Sequence, residues 1–280
     1  MRGARSQQVR RRDLPLPELI ERAAAPYRAA GRFAWHFARG KLRWDPVFAD
    51  VLRIGLIPSG CHILDLGCGR GLLAAWLQAA QACHDEGLWP DDQPPPPQSL
   101  SLRGIDRQGR DIRCAQTLGY ATAVFEEGDI YAADLGHADV AVIWDVMHFL
   151  TWDRQETILR RVKTALGPNG LLLLRIGNGR GGWRYRLSQW NDWLMAALRG
   201  QLLRRLYGRS IEGWLKTLTQ LGFTVDHLPM NGTMPFANIL LVARLGPGAH
   251  DRQGPVRPTP AIPTVVLSIP RDPQAGGAPL

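Results

Sequence analysis

The chain predicts a doubly wound α/β sheet, mostly parallel, with helices ahead of it and tails that do not fold. Three observations predict this. The apolar strand Ile63-Leu64-Asp65-Leu66 runs into the glycine turn Gly67-Cys68-Gly69-Arg70-Gly71 and then into a helix-like stretch, residues 72–83. Further short apolar runs, residues 102–106, 121–130 and 138–145, each carry an acid at or near their ends. Helical patterns lie between these runs, and strands alternating with helices imply crossover units around a parallel sheet.

Residues 1–12 carry Arg2, Arg5, Arg10, Arg11 and Arg12 with no apolar stretch behind them, so a disordered basic tail is expected and no secretory signal. Residues 13–59 read as a helical cap, with Leu19, Ile20, Ala23, Tyr27 and Ala30 at helical spacing, then Phe33, Trp35 and Phe37 before the turn Arg43-Trp44-Asp45-Pro46. Residues 84–100 contain four consecutive prolines, which can form neither helix nor central strand, and read as an insertion with no pattern for burying apolar surface. A helix is expected over 151–166, stopped by Gly167-Pro168-Asn169-Gly170, and a buried strand over 171–176. Residues 180–209 read as a helical insertion at that strand's carboxyl end. A helix over 211–221 stops at Gly222, and strands 223–228 and 238–244 pair as a hairpin. The tail 246–280 is rich in proline and glycine and is expected to be disordered.

The glycine turn has the spacing Gly-x-Gly-x-Gly with an acid two positions before it, which differs from the Gly-x-Gly-x-x-Gly of dinucleotide-binding units. Leu102-Arg103-Gly104-Ile105-Asp106 follows as a strand closing on an acid, and a carboxylate there can accept from both hydroxyls of a ribose. The third run reaches Asp129-Ile130, and the fourth runs Val140-Ala141-Val142-Ile143-Trp144-Asp145-Val146-Met147-His148. In this order the four strand ends resemble the motifs of class I S-adenosylmethionine-dependent methyltransferases over residues 60–245. The resemblance implies a Rossmann-like, seven-stranded sheet of order 3-2-1-4-5-7-6 with strand 7 antiparallel. It also implies S-adenosylmethionine as methyl donor, held by Asp65, Gly67, Gly69 and Gly71 around the methionine portion. Asp106 would meet the ribose, and Asp129 and Ile130 the adenine. Asp145 would hold the donor's amino group or orient His148. Arg70 is a candidate for the donor's carboxylate or an anionic acceptor.

His148 lies where ligands of open α/β sheets bind, and imidazole titrates near neutral pH, so it is the candidate general base for a hydroxyl acceptor. A cap or packing histidine is the competing reading.

At 280 residues and 45% hydrophobic the chain can bury one sizeable core, and no apolar run reaches the length of a membrane-spanning helix. Cys61, Cys68, Cys83 and Cys114 have no zinc-type spacing, so no metal is expected, and reduced thiols fit a cytoplasmic protein. The formal charge of +9 is almost all arginine, since Lys41, Lys163 and Lys216 are the only lysines. One arginine cluster, with Arg175, Arg180, Arg184, Arg186 and Arg209, interleaves with Trp183, Tyr185, Trp190 and Trp193. It reads as an amphipathic helix, a polynucleotide track, or a site for an anionic carrier or acidic membrane surface. Arg184 and Arg186 are the candidate acceptor-binding residues.

The fourth strand end lacks the Asn/Asp-Pro-Pro-Tyr of amino methylation and the Pro-Cys of cytosine carbon methylation. A small or carrier-tethered acceptor methylated on oxygen is therefore expected. An RNA methyltransferase and a non-catalytic donor-binding regulator are the alternatives. Oligomeric state is not legible.

Overall fold

The computed structural model describes residues 13–177, 207–230 and 238–247. Arg184, Arg186, most of the expected insertion 180–209 and nearly all of both expected tails lie outside the described residues.

Among the described residues, three helices and a 3-10 turn precede the sheet. Helix α1 is Leu16–Ala24, the 3-10 turn Ala25–Arg28, α2 Arg32–Trp44 and α3 Pro46–Arg53. Ala34, Ala38 and Leu42, four residues apart, form the buried face of α2. Asp45 breaks α2 by turning extended, and its carboxylate accepts from the Val47 amide at 3.3 Å to cap α3. Pro46 fits at the first helical position, where no amide is needed.

The remaining elements are β1 His62–Leu66, α4 Leu72–Asp85, β2 Ser101–Asp106, α5 Gly109–Gln116, β3 Ala123–Glu127, β4 Val140–Trp144, α6 Trp152–Leu166, β5 Leu171–Gly177, α7 Ile211–Gln220, β6 Phe223–Met230 and β7 Asn238–Leu245. They form one seven-stranded sheet of order β3-β2-β1-β4-β5-β7-β6, in which β7 runs antiparallel to both neighbours. This is the expected order, and the strands differ from their expected bounds by a few residues.

Both faces of the sheet are covered, which explains why its central strands read as continuous apolar runs. Alternate residues serve opposite sides. Ile63, Val140, Val142, Leu171 and Leu173 pack with the cap and α4, whereas Leu64, Leu66, Ala141, Ile143, Leu172 and Leu174 pack with α6 and α7. Trp76 of α4 is fully buried, and its indole donates to the Phe48 carbonyl at 2.7 Å, fastening α4 to α3.

The proline-rich stretch corrects one expectation. Helix α4 continues to Asp85, and Trp89 behind it is only 9% exposed and belongs to the core. The Trp89 indole donates to the Pro94 carbonyl at 2.9 Å, while Gln98 accepts from the Gly60 amide at 2.8 Å. Pro96 and Pro97 are buried as well. Prolines carry no amide that must find a partner, so such a segment can lie against a core without a hydrogen-bond ladder.

Candidate functional site

The carboxyl ends of β1, β2 and β4 meet around the glycine turn. Gly67, Gly69 and Gly71 all have positive φ, at 82°, 53° and 75°. A side chain at Gly67 would also place its Cβ 2.1 Å from Cγ2 of Val146, and one at Gly71 would strike Phe125 at 2.8 Å. Gly69 differs, because a Cβ there would meet nothing within 4 Å. The turn is therefore closed against the protein at its two ends and open in the middle, where a ligand can approach the backbone.

Two carboxylates flank that opening. Asp106 accepts from the Gly69 amide at 3.0 Å and from the Gln108 amide at 2.8 Å, which ties the end of β2 to the glycine turn. Asp65 is 6% exposed. Burial, with a contribution from the Asp106 charge, pushes the Asp65 carboxyl up to about 7. An ammonium beside Asp65 would relieve both effects, so this pair fits the positively charged end of an amino-acid-like ligand.

Asp129 is exposed beyond β3, and its carboxylate accepts from the Tyr131 amide at 3.0 Å. Ile130 is 7% exposed and packs with Leu64, Leu66 and Ile105. The guanidinium of Arg161 on α6 secures this loop by donating to the Ile130 carbonyl at 2.8 Å and to those of Tyr131 and Ala133.

Asp145 follows β4 in the left-handed region, at φ 58°. Both of its oxygens are engaged by Arg175, through Nε to Oδ1 at 2.7 Å and Nη2 to Oδ2. Arg175 also reaches Asp45 at 2.5 Å, and Lys41 bridges Asp45 at 2.8 Å and Asp145 at 3.3 Å. Burial opposes ionisation of Asp45, but Arg175 and Lys41 outweigh it and hold its carboxyl below the usual carboxylate range. The helical cap is thus wired to the ends of β4 and β5 by two cations and two anions.

His148 sits in a 3-10 turn, Met147–Phe149, with its Nε2 buried and its ring 4.1 Å from that of Phe149. Its carbonyl accepts from the Tyr207 amide at 2.8 Å.

Arg70 is turned away from free solvent. It donates to Asp111 at 2.9 Å, lies 5.2 and 4.9 Å from the Phe33 and Phe37 rings, and its carbonyl accepts from the Tyr27 hydroxyl at 2.8 Å. The arginine cluster is split in the same way. Arg175 is 3% exposed inside the network, and Arg209 donates to Gln155 at 2.8 Å and to Glu156 at 2.9 Å.

The structure brings the glycine turn, Asp65 and Asp106 together. Sequence reasoning missed Lys41, Asp45, Arg175, Tyr27 and Arg161 as supports. Only the unusual arginine inside the apolar run 171–176 was a visible signal. Among the described residues no cluster of histidine, cysteine and acidic side chains could hold a metal.

A family model described as a methyltransferase domain matches residues 18–228. Carboxy-S-adenosyl-L-methionine synthase of Chromohalobacter salexigens is 27% identical over 140 residues, 46% of this chain and 47% of that protein. The chain thus spans about half the length of this curated relative. Magnesium protoporphyrin IX methyltransferase from Synechocystis PCC 6803, solved with SAH, is similar at a TM-score of 0.50 and 17% identity, covering 77% of this chain and 88% of that one. Human N-acetylserotonin methyltransferase, solved with SAM, is similar at a TM-score of 0.52 and 17% identity, covering 83% and 59%. With its sheet order and with the family model across most of its length, the chain belongs to the methyltransferase-domain family and has the Rossmann-like fold of the class I S-adenosylmethionine-dependent methyltransferases.

Proposed function

We propose that the protein transfers a methyl group from S-adenosylmethionine to an oxygen of a small or carrier-tethered acceptor. The observation that carries this reading is the glycine turn, open at Gly69 and flanked by the buried Asp65 and by Asp106. When bound, S-adenosylmethionine supplies a methyl group already activated on a sulfonium. The residues therefore have mainly to bind, align and exclude water, and alignment alone is worth an effective molarity of about 10⁵–10⁸ M. Asp65 is suited to the donor's ammonium, Asp106 to the ribose hydroxyls, and Asp129 with Ile130 to the adenine. Asp145 borders the site as the Arg175-anchored end of β4.

An oxygen acceptor is supported by His148, which follows β4 and can take the proton of a hydroxyl on its imidazole. Arg184 and Arg186 are retained as the candidate acceptor contacts. The names of the two similar solved methyltransferases point to small-molecule acceptors, which agrees with this choice.

Calorimetry with S-adenosylmethionine and its demethylated product tests the donor site. Asp106→Ala is expected to weaken both by about tenfold or more, the loss of hydrogen bonds to a charged acceptor. An unchanged affinity in the folded variant would move the ribose elsewhere and overturn the assignment.

A further inference from the structure

The outer face of α2 takes no part in the donor site. Arg32, His36, Arg39 and Arg43 are spaced four, three and four residues apart, which aligns them along one side of the helix, and α2 contains no acid. Beside that stripe Phe33 and Trp44, three turns apart on a second line, are 65% and 51% exposed. The buried face of α2, Ala34, Ala38 and Leu42, holds the helix flat on the domain, so both lines are presented outward.

A groove of about 570 Å³ runs between α1 and α2 along the basic stripe. Leu16, Pro17 and Ile20 give it an apolar side, and His36, Arg39 and Arg43 a basic one. Glu21 also lines it and neutralises one of these charges, accepting from Arg39 at 2.7 Å. The second line starts at the edge of the donor site, since the Phe33 ring lies 5.2 Å from the guanidinium of Arg70 in the glycine turn.

We propose that this face seats the protein on an anionic lipid surface, with Arg32, His36 and Arg43 at the lipid phosphates and Phe33 and Trp44 at the headgroup–acyl boundary. Arginine beside tryptophan and phenylalanine is the composition of helices that lie in such an interface. Phe33 and Trp44 are the large apolar side chains that α2 leaves exposed, one near each end of the basic stripe. A polynucleotide fits less well, because it would use the tryptophan face for base stacking, and the guanidinium of Arg43 covers that ring at 5.2 Å.

The test is co-sedimentation of the full chain with vesicles rich in phosphatidylglycerol, compared with vesicles of phosphatidylcholine alone. Binding is expected to the first and not the second, and to fall as salt rises. R32Q/R43Q is expected to lower partitioning about 25-fold, roughly five-fold for each arginine near a charged membrane surface. Adding W44S should lower it further, while the donor affinity of each variant stays at the wild-type value and reports an intact fold. The basic residues of 1–12 and 180–209 remain in these variants. Wild-type partitioning by R32Q/R43Q/W44S would therefore overturn the assignment to α2. Equal binding to both vesicle types, no vesicle binding at all, or retention by RNA without vesicle binding would each overturn the lipid surface.

Discussion

Arg175, within β5, holds Asp145, the residue that follows β4, by a two-pronged contact whose Nε arm measures 2.7 Å. The same guanidinium reaches Asp45 at the start of α3, so one buried side chain joins the helical cap to two strand ends. Val146, next to Asp145, packs so close to Gly67 that no Cβ fits there. Displacing Asp145 would therefore be felt in the glycine turn.

Arg175→Met leaves Asp45 buried with Lys41 as its remaining cation among the described contacts, and removing one member of a buried pair costs about 3–5 kcal/mol. A corresponding fall in denaturant midpoint at unchanged m-value is expected. Adding Asp45→Asn should recover part of it, because the uncompensated charge is then gone. Additive losses in the double variant would show that the two residues do not act as a pair.

Gly67→Ala meets Val146 at 2.1 Å and must also hold φ at 82°. Donor affinity is expected to fall more than tenfold, with partial recovery in Gly67→Ala/Val146→Ala, where the collision is relieved and the backbone strain is not. Isothermal titration measures both. Full affinity in the single variant would mean that the turn relaxes without cost.

Donor affinity should depend on pH through Asp65, whose carboxyl is pushed up to about 7 by burial and by Asp106. The ionised form attracts the donor's ammonium, so affinity rises as pH approaches 7 and levels off above it. Folding stability moves the other way. The folded state holds this proton where the unfolded chain has released it, so the contribution of Asp65 falls between about pH 4 and 7 and is flat above. Asp65→Asn should abolish both trends, and an unaltered pH profile in that variant would assign them to another group.

Trp89→Ala removes a core aromatic from the proline-rich stretch, and such deletions cost about 3–5 kcal/mol. A thermal melt of the variant is expected to fall by many degrees while donor affinity in the folded fraction is kept. An unchanged melting temperature would show that the stretch rests on the core without supporting it.

His148→Ala is expected to lower turnover about 10²–10⁴-fold with donor affinity within a few fold, provided that the acceptor is a hydroxyl. Normal turnover at saturating acceptor would shift the chemistry to another base or to methylation at carbon or nitrogen.

The positions of the strands, the glycine turn and the acid at the end of β2 were legible in the sequence, whereas the strand order came only with the resemblance to a known family. Strand periodicity, the left-handed glycines and an acid closing an apolar run are local, each within about ten residues of chain. The helix ends were legible for the same reason, with Gly167 and Gly222 both at positive φ. What tertiary structure alone decided is which distant ends converge. Asp45 and Arg175 are 130 residues apart, and only the folding of the cap over β4 and β5 makes them partners. Burial then selected the pairing, because a guanidinium 3% exposed must be matched by carboxylates at hydrogen-bond distance. Trp89 followed the same logic. Its prolines forbid regular structure locally, and the core that buries its indole is assembled from residues distant along the chain.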